Sequence, residues 1–505
     1  MNSDPAVNDR VDVVLVYLPV RFGGGKNFGL PPLGVYYLAA ALEEGGISVR
    51  VLDASIKGLS FEETIAQIDA CSPTVVGISA MTPHIKSLIK TVDKLNDIGY
   101  RGRIAVGGSH FNATGAEALD YLDVDYLFYG ESERNFTEFV KRRIADQPVD
   151  DIPTMAYRQG DEVTVNAKGN FIDELDELPF PNLRYGDPDD YEFVAGRYDR
   201  VTSMMASRGC PYLCTFCDVF AIWGRKLRLR SAENICDEIE FNMKTLGIRE
   251  FVFKDSTFTL NFKWLDRFLS ELERRKLDIS WQCNTRADRV DFDMLKRMRD
   301  TGLRVVSFGV ESGDQDIINS IEKNLQLDTI HEAFRMANEL GLQAQAFFMI
   351  GHVGETRETA RRTVELAVQL PATYASFAVN VAYPGTPSYD QALKQGLLLD
   401  PKWYLYGLEE GEEQFLSIPS EASTGQLMHH DFPPVEQMAL TKEAYRRFYL
   451  RPSVIWRIIH RAASFRLLWR AAMFLPTFLA FSIFSKPSKD PFRGGYAMRQ
   501  ADAAE

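Results

Sequence analysis

Basic residues, cysteine and long apolar runs are all scarce in this sequence of 505 residues, and each scarcity excludes something. Lysine and arginine number 57 against 70 acidic residues, a formal net charge of −13. A general nucleic-acid binder is therefore not expected, because neutralising phosphates takes a concentrated basic surface. Six cysteines, at 71, 210, 214, 217, 236 and 283, are too few and too unevenly spread for a disulfide framework. The opening residues, MNSDPAVNDRVDVV, carry acidic groups and no apolar stretch behind a basic start, so no signal peptide is expected, and a reducing cytosol is the expected compartment. The apolar run Ala471 to Phe484, about 14 residues broken by Pro476, falls short of the roughly 20 needed to span a bilayer. No low-complexity tract argues for disorder, and 45% hydrophobic with 25% charged residues fits a folded chain. At roughly 150 residues per domain it has room for two or three.

What is present begins with alternation. Apolar runs at Val11 to Pro19, Val49 to Leu52, Thr74 to Ser79, Arg103 to Val106 and Tyr126 to Tyr129 alternate with helical stretches at 33–44, 61–70, 84–98 and 133–145. This predicts a doubly wound parallel sheet over residues 1–146 whose ligand lies beyond the carboxyl ends of the strands, where Gly77, Ser79, Gly107, Gly108 and Gly130 fall. Residues 147–200, rich in proline and acid (Asp173 to Asn182), read as a linker. From Val201 the alternation restarts, with strands at Val201 to Ser207, Glu250 to Phe253, Ser280 to Asn284, Val305 to Val310, Gln343 to Ile350 and Tyr374 to Ala382. Six such units over 201–400 suggest an open (β/α)6 barrel with its chemistry at the C-terminal strand ends. The extension 401–505 contains no acidic residue between Arg446 and Lys489, and there arginines alternate with Trp456, Phe465 and Trp469. It fits a helical region lying in a membrane interface, or equally a C-terminal helix packed on the barrel.

The residues that carry chemistry follow the first of those six strands. Ser207-Arg208-Gly209-Cys210-Pro211-Tyr212-Leu213-Cys214-Thr215-Phe216-Cys217 sets three thiols at C-x3-C-x2-C spacing. Soft thiolates select zinc or iron–sulfur sites. A closed zinc site wants a fourth ligand nearby, yet no histidine falls between His110 and His331 and Cys236 lies a helix away. An incomplete four-iron four-sulfur cluster on Cys210, Cys214 and Cys217 is the better reading. Its open iron can chelate the amino and carboxylate groups of S-adenosylmethionine (SAM) and pass an electron to the sulfonium, whose homolysis yields a 5′-deoxyadenosyl radical.

This loop, with an aromatic at Phe216, resembles the radical SAM signature. The resemblance continues through Phe253-Lys254-Asp255-Ser256-Thr257-Phe258, Asn284-Thr285-Arg286, Gly309-Val310-Glu311-Ser312-Gly313, Gly351-His352-Val353-Gly354-Glu355-Thr356 and Tyr383-Pro384-Gly385-Thr386-Pro387. It implies SAM contacts from Phe216, Asp255, Ser256, Arg286, Glu311, Ser312 and Gly351. Two departures stand out: Lys254-Asp255-Ser256 replaces a glycine pair and glutamate, and Val353 stands where proline is usual. The first domain resembles the cobalamin-binding domain of a radical SAM subfamily through Pro31-Pro32-Leu33-Gly34, Val106-Gly107-Gly108-Ser109-His110 and Tyr129-Gly130-Glu131-Ser132-Glu133. Gly77, Ser79, Gly107, Gly108, Gly130 and Glu131 are then the expected cobalamin contacts. No D-x-H-x-x-G stretch exists, so cobalamin is expected to bind without a histidine ligand, and His84 and His110 read as structural.

The other candidates read as ordinary structure. Cys71, Cys236 and Cys283 suit buried small hydrophobes, Gly23 to Gly25 a plain loop without the lysine of a P-loop, and His429-His430 a polar loop. His352 faces the expected site, but no catalytic residue is assigned. The resemblance implies cobalamin-dependent methylation of an unactivated carbon. Oxidative ring closure of a magnesium-porphyrin ester, as in the anaerobic cyclase, and deoxyadenosyl transfer or ring formation on a hopanoid lipid are alternatives in the same family that the sequence pattern does not separate. The basic aromatic tail points to a lipid-like or tetrapyrrole substrate and to peripheral contact at the inner face of the membrane. An electron donor such as flavodoxin or ferredoxin is also implied. A methylthiotransferase would want three further cysteines in the first domain, where only Cys71 lies. A non-enzymatic metal-binding module leaves the strand-end motifs unexplained.

Overall fold

The computed structural model describes residues 10–20, 29–160, 162–192, 196–398, 400–405, 414–415, 418–419, 427, 429 and 431–461. The glycine run at 23–25, His430 and the apolar run from Ala471 lie outside these residues. By packing, the chain divides into two units: Met1–Tyr212 with Cys217–Cys283, and Leu213–Phe216 with Asn284–Glu505. The division falls within the barrel rather than in the stretch 147–200.

In the first unit, β1 (Val13–Tyr17), β2 (Val49–Asp53), β3 (Val75–Ser79), β4 (Arg103–Gly107) and β5 (Tyr126–Phe128) form a parallel sheet in the order β2-β1-β3-β4-β5. Valine-rich strands buried on both faces suit a sheet sandwiched between helices. The expected helices stand between them, among them Leu33–Glu44 and Phe61–Cys71. Phe61–Cys71 starts on a reciprocal cap in which Ser60 and Glu63 each accept the other's backbone N–H. Strand order reverses direction between β1 and β3, the place where doubly wound sheets open a ligand crevice.

The stretch 147–200 is not a free linker. β6 (Met155–Gln159) and β7 (Glu162–Val165) extend the same sheet as an antiparallel hairpin on β5. Farther on, Ile172, Leu175 and Leu178 pack against Tyr37, giving the acidic segment its own buried anchor. Its polarity reflects the outer face of an edge hairpin, which charge protects from further pairing.

The barrel strands of the first unit are β8 (Val201–Met204), β11 (Glu250–Phe253) and β12 (Ser280–Thr285), parallel with β11 between the other two. What reads in sequence as one strand to Ser207 is divided: β9 (Ser207–Arg208) leaves β8 and pairs antiparallel with β10 (Arg228–Leu229). In the second unit β13 (Leu303–Glu311), β14 (Gln343–Ile350) and β15 (Tyr374–Val379) are parallel in that order, with a bulge between Gly309 and Glu311. Helix Pro434–Tyr449 covers β15: Tyr445 Oη accepts from Phe377 N at 3.1 Å, and Tyr449 Oη accepts from Ala375 N at 3.2 Å. Among the described residues beyond 430, helices Pro434–Tyr449 and Pro452–Arg461 agree with the expected helical C-terminal region, and the first of them packs on β15. The six parallel βα units after the doubly wound domain agree with the expected half-barrel. Among the described residues no helix is long and apolar enough to cross a membrane.

Candidate active site

The cysteine loop leaves β9 through a position that only glycine fits. Gly209 has φ +91°, and a Cβ there would run into the carbonyl of Lys226. Cys210 N donates to the carbonyl of Gly224 at 3.2 Å, which closes the base of the loop. Cys210, Cys214 and Cys217 are partly exposed, whereas Cys71, Cys236 and Cys283 are buried. Burial pushes the Cys236 thiol up to about 12 and that of Cys283 upward as well, so those two resist forming the thiolate a metal needs. The accessible thiols are the three at C-x3-C-x2-C spacing; among the described residues no three Cys, His, Asp or Glu side chains stand together as a metal site, so exposure and spacing are what favour these three as ligands.

Beside this loop Asp255 is fully buried. It accepts from Ser207 Oγ at 2.5 Å and from Ala206 N at 3.1 Å, and burial lifts its carboxyl to about 6 against those bonds. The carboxylate that the sequence offers to SAM is thus tied to the strand entering the cysteine loop, while Ser256 is exposed.

The second unit gathers a different set. Glu311 sits at φ +69° beyond the bulge, and its carboxylate lies over Gly309, where a Cβ would come within 2.6 Å of it. Lys323 Nζ pairs with Glu311 Oε1 at 2.8 Å, stands 5.9 Å from the Phe216 ring centroid, and its carbonyl accepts from Arg286 Nη2 at 2.8 Å. Arg286 is also held by Asp288 at 2.9 and 3.0 Å. Lys323, absent from the sequence-derived set, therefore joins three of its members: Phe216, Arg286 and Glu311. It is 5% exposed, on a turn whose neighbours Glu322 and Asn324 both have positive φ. Ser312 turns inward, its hydroxyl 3.2 Å from that of Thr363 and accepting from Asp314 N at 3.1 Å.

At the end of β14, Gly351 takes φ +95°, and Gln437 covers it so closely that a Cβ would strike the amide oxygen. Glu355 Oε2 accepts from Gly351 N at 2.5 Å and from His352 N at 3.2 Å. Burial raises the Glu355 carboxyl to about 7, outweighing those two bonds. His352 is 1% exposed with its ring 5.7 Å from that of Phe216. Burial pushes its imidazole down to about 3, with Lys323 and His429 adding to the effect. Among the described residues, neither His352 nitrogen, Glu355 Oε1 nor Gln437 Oε1 has a hydrogen-bond partner. Four unpaired buried polar atoms on neighbouring residues are costly, and they are what a site awaiting a polar ligand presents. Sequence reasoning left Glu355 and Gln437 out. The first carried a signal in its motif, the second none.

The expected cobalamin contacts part into two groups. A Cβ at Gly107, which ends β4, would be in ordinary contact with Phe128 at 3.5 Å, and one at Gly130 with Thr154 at 3.6 Å, so neither glycine is crowded by the protein. Gly108, at φ +112°, lies against the Ala80 backbone, and Ser79 ends β3. Gly77, by contrast, is mid-strand, with Leu15 and Phe136 where its Cβ would be, and serves packing. Glu131 is buried in ion pairs with Arg228, at 2.6 Å, and Arg208, at 3.6 Å. His84 accepts from Met81 N at 3.2 Å, and His110 is bonded to Thr82 and Tyr121. Both imidazoles are pushed down by burial, to about 4 and about 3, as suits structural histidines. Uncrowded glycines at the strand ends, with both nearby histidines bonded within the protein, suit a corrinoid bound without a histidine ligand.

Residues 204–367 match the family model described as the radical SAM superfamily, and residues 27–140 that of the B12 binding domain. An uncharacterized methyltransferase of Pyrococcus horikoshii is 29% identical over 86% of this chain and 91% of its own length. The anaerobic magnesium-protoporphyrin IX monomethyl ester cyclase of Cereibacter sphaeroides is 26% identical over 88% and 72%. Among solved structures, the cobalamin-dependent SAM radical enzyme OxsB with aqua-cobalamin and SAM bound shares the fold, with a TM-score of 0.67 at 16% identity over 98% of this chain and 75% of that one.

Proposed function

Because this chain is a radical SAM enzyme with an N-terminal B12-binding domain, we propose that it transfers a methyl group to an unactivated carbon of a small lipid-like or tetrapyrrole substrate. Its cofactors are a four-iron four-sulfur cluster, SAM and cobalamin. The observation that carries the proposal is the pairing of three accessible thiols on a glycine-hinged loop with glycine-lined strand ends that present no free histidine. We assign the cluster to Cys210, Cys214 and Cys217, and the corrinoid to the strand ends around Ser79, Gly107, Gly108 and Gly130.

When bound, these groups supply a carbon radical derived from SAM and a transferable methyl group. The chain's own residues do the holding. Lys323 fixes Glu311 and Arg286 at one end of the SAM site, with Phe216 as its aromatic wall. His352, neutral throughout the physiological range, offers one N–H and one lone pair, and Glu355 Oε1 can hold or release a proton near neutrality. The similarity to the cyclase favours a second reading, oxidative ring closure on a tetrapyrrole ester. Methyl-labelled SAM, hydroxocobalamin and a strong reductant separate the two. Label recovered with the corrinoid supports methyl transfer, whereas deoxyadenosine formed with the corrinoid unlabelled supports the cyclase.

Peripheral membrane contact from a cytosolic position belongs to the same proposal. Helix Pro452–Arg461 exposes Ile455, Trp456 and Ile459 at 44, 60 and 56%, and the sequence around it is free of acidic residues. Apolar side chains with aromatic and basic neighbours suit an anionic lipid surface. Co-sedimentation with anionic but not neutral vesicles, lost in Trp456→Glu, is the expected result; equal behaviour on both would remove the membrane from the account. A small one-electron carrier such as flavodoxin or ferredoxin would supply the reducing equivalents.

A further inference from the structure

Four charged side chains in the first unit are almost wholly removed from water. Arg208, Arg228, Glu131 and Glu133 have side-chain exposures of 3, 3, 0 and 7%. Arg208 Nη2 donates to Glu133 Oε1 at 2.5 Å, and its Nη1 stands 3.6 Å from Glu131 Oε2. Arg228 reaches both oxygens of Glu131, at 2.6 and 2.9 Å, and donates to the carbonyls of Ile172 and Trp223 at 2.6 and 2.9 Å. Aromatic faces complete the enclosure: Trp223 lies 4.5 Å from the Arg208 guanidinium and Phe171 4.8 Å from that of Arg228.

The placement of these four is not what stability alone asks for, since a buried ion pair is often no more stable than apolar residues of the same size. Arg208 and Arg228 are register partners in the β9–β10 pair, so they mark the two ends of the segment that contains all three cysteines. Glu131 and Glu133 sit on the segment following β5, next to Gly130 in the glycine-lined end of the first sheet. Guanidinium forks fix direction as well as distance to a carboxylate. We infer that Arg208 is a positioning residue: with Glu133 and the Arg228–Glu131 pair it clamps both ends of the cysteine loop to the strand-end segment of the B12-binding domain and sets the geometry of the cluster loop. This rests on the assignment of the cluster to that loop.

The test uses the full-length, anaerobically reconstituted enzyme and a double variant, Arg208→Met with Glu133→Gln. It removes one charge of each sign and leaves the Arg228–Glu131 pair, so buried charge stays balanced. Iron content, the electron paramagnetic resonance spectrum of the reduced cluster with and without SAM, and deoxyadenosine release are read together. The inference expects iron near the wild-type level, an altered or broadened spectrum with SAM, and release slowed at least tenfold. A double variant with wild-type spectrum and rate would overturn it, reducing the four groups to charge balance. Should that protein not fold, Glu133→Asp, which keeps the charge and shortens the arm, carries the same comparison. Wild-type protein that binds no iron would instead defeat the cluster assignment.

Discussion

Replacing Glu355 by glutamine should stabilise this protein at alkaline pH and leave it nearly unchanged in mild acid. The buried carboxyl ionises at about 7 rather than at its ordinary 4.5. Between those values the unfolded chain has released the proton that the folded chain still holds, so wild-type stability falls as pH rises through this window and is level above it. A gap of about 2.5 pH at about 1.4 kcal/mol per pH is about 3.5 kcal/mol. Glutamine can keep the carbonyl oxygen that accepts from Gly351 N and His352 N, and it removes only the titration. Thermal melts of wild type and Glu355→Gln without SAM, across pH 5 to 8.5, measure the difference. At roughly 2–4 °C per kcal/mol for a cooperative unit of this size, the variant should gain roughly 7–14 °C above pH 7.5 and about 3 °C or less at pH 5. An equal shift at both ends, or none, would mean that this carboxyl ionises normally and that the site around Gly351 is wetter than its packing implies.

Three further outcomes follow from the same geometry. His352→Leu should stabilise the apo protein by about 1–3 kcal/mol, because it removes a buried ring whose nitrogens are unpaired. Since the folded imidazole ionises at about 3 and the unfolded one near 6.5, wild-type stability drains as pH falls below 6.5, and the gap should widen by about 2 kcal/mol between pH 7.5 and 5; denaturant titrations at the two pH values report it. Gly209→Ala should lose most reconstituted iron and cost about 1–3 kcal/mol, since the position has positive φ and meets the Lys226 carbonyl. Iron analysis beside a melt distinguishes that result from an innocuous change. Serine at Cys236 or Cys283 should leave iron content at the wild-type level, whereas serine at Cys210, Cys214 or Cys217 should abolish the cluster absorbance; loss at a buried position would reassign the ligands.

Periodicity made most of the fold legible. Helix Leu33–Glu44 has the bounds its apolar spacing predicts, and the barrel strands begin within a residue or two of the apolar runs that announce them. Local pattern failed where tertiary placement decides. β7 faces water at the sheet edge, and β6 buries only its first residues, so the short hairpin reads as a connector. A glycine inside a strand serves packing as readily as a ligand, and Gly77 does the former. Lys323 is a lone lysine on a turn between two helices, and only the fold brings it to Glu311, Arg286 and Phe216. Gln437 reaches Gly351 from far along the chain, with nothing near it in sequence to say so.

The central claim is that three cysteines on one loop hold a redox cluster that cleaves SAM in a protein that also binds a corrinoid. It is tested most directly by anaerobic reconstitution with iron, sulfide and hydroxocobalamin, followed by metal and corrinoid analysis and an assay of 5′-deoxyadenosine under a strong reductant. The account predicts about four irons and bound corrinoid per chain, with slow deoxyadenosine release that Cys214→Ala abolishes. Zinc in place of iron, or release that survives Cys214→Ala, would contradict it.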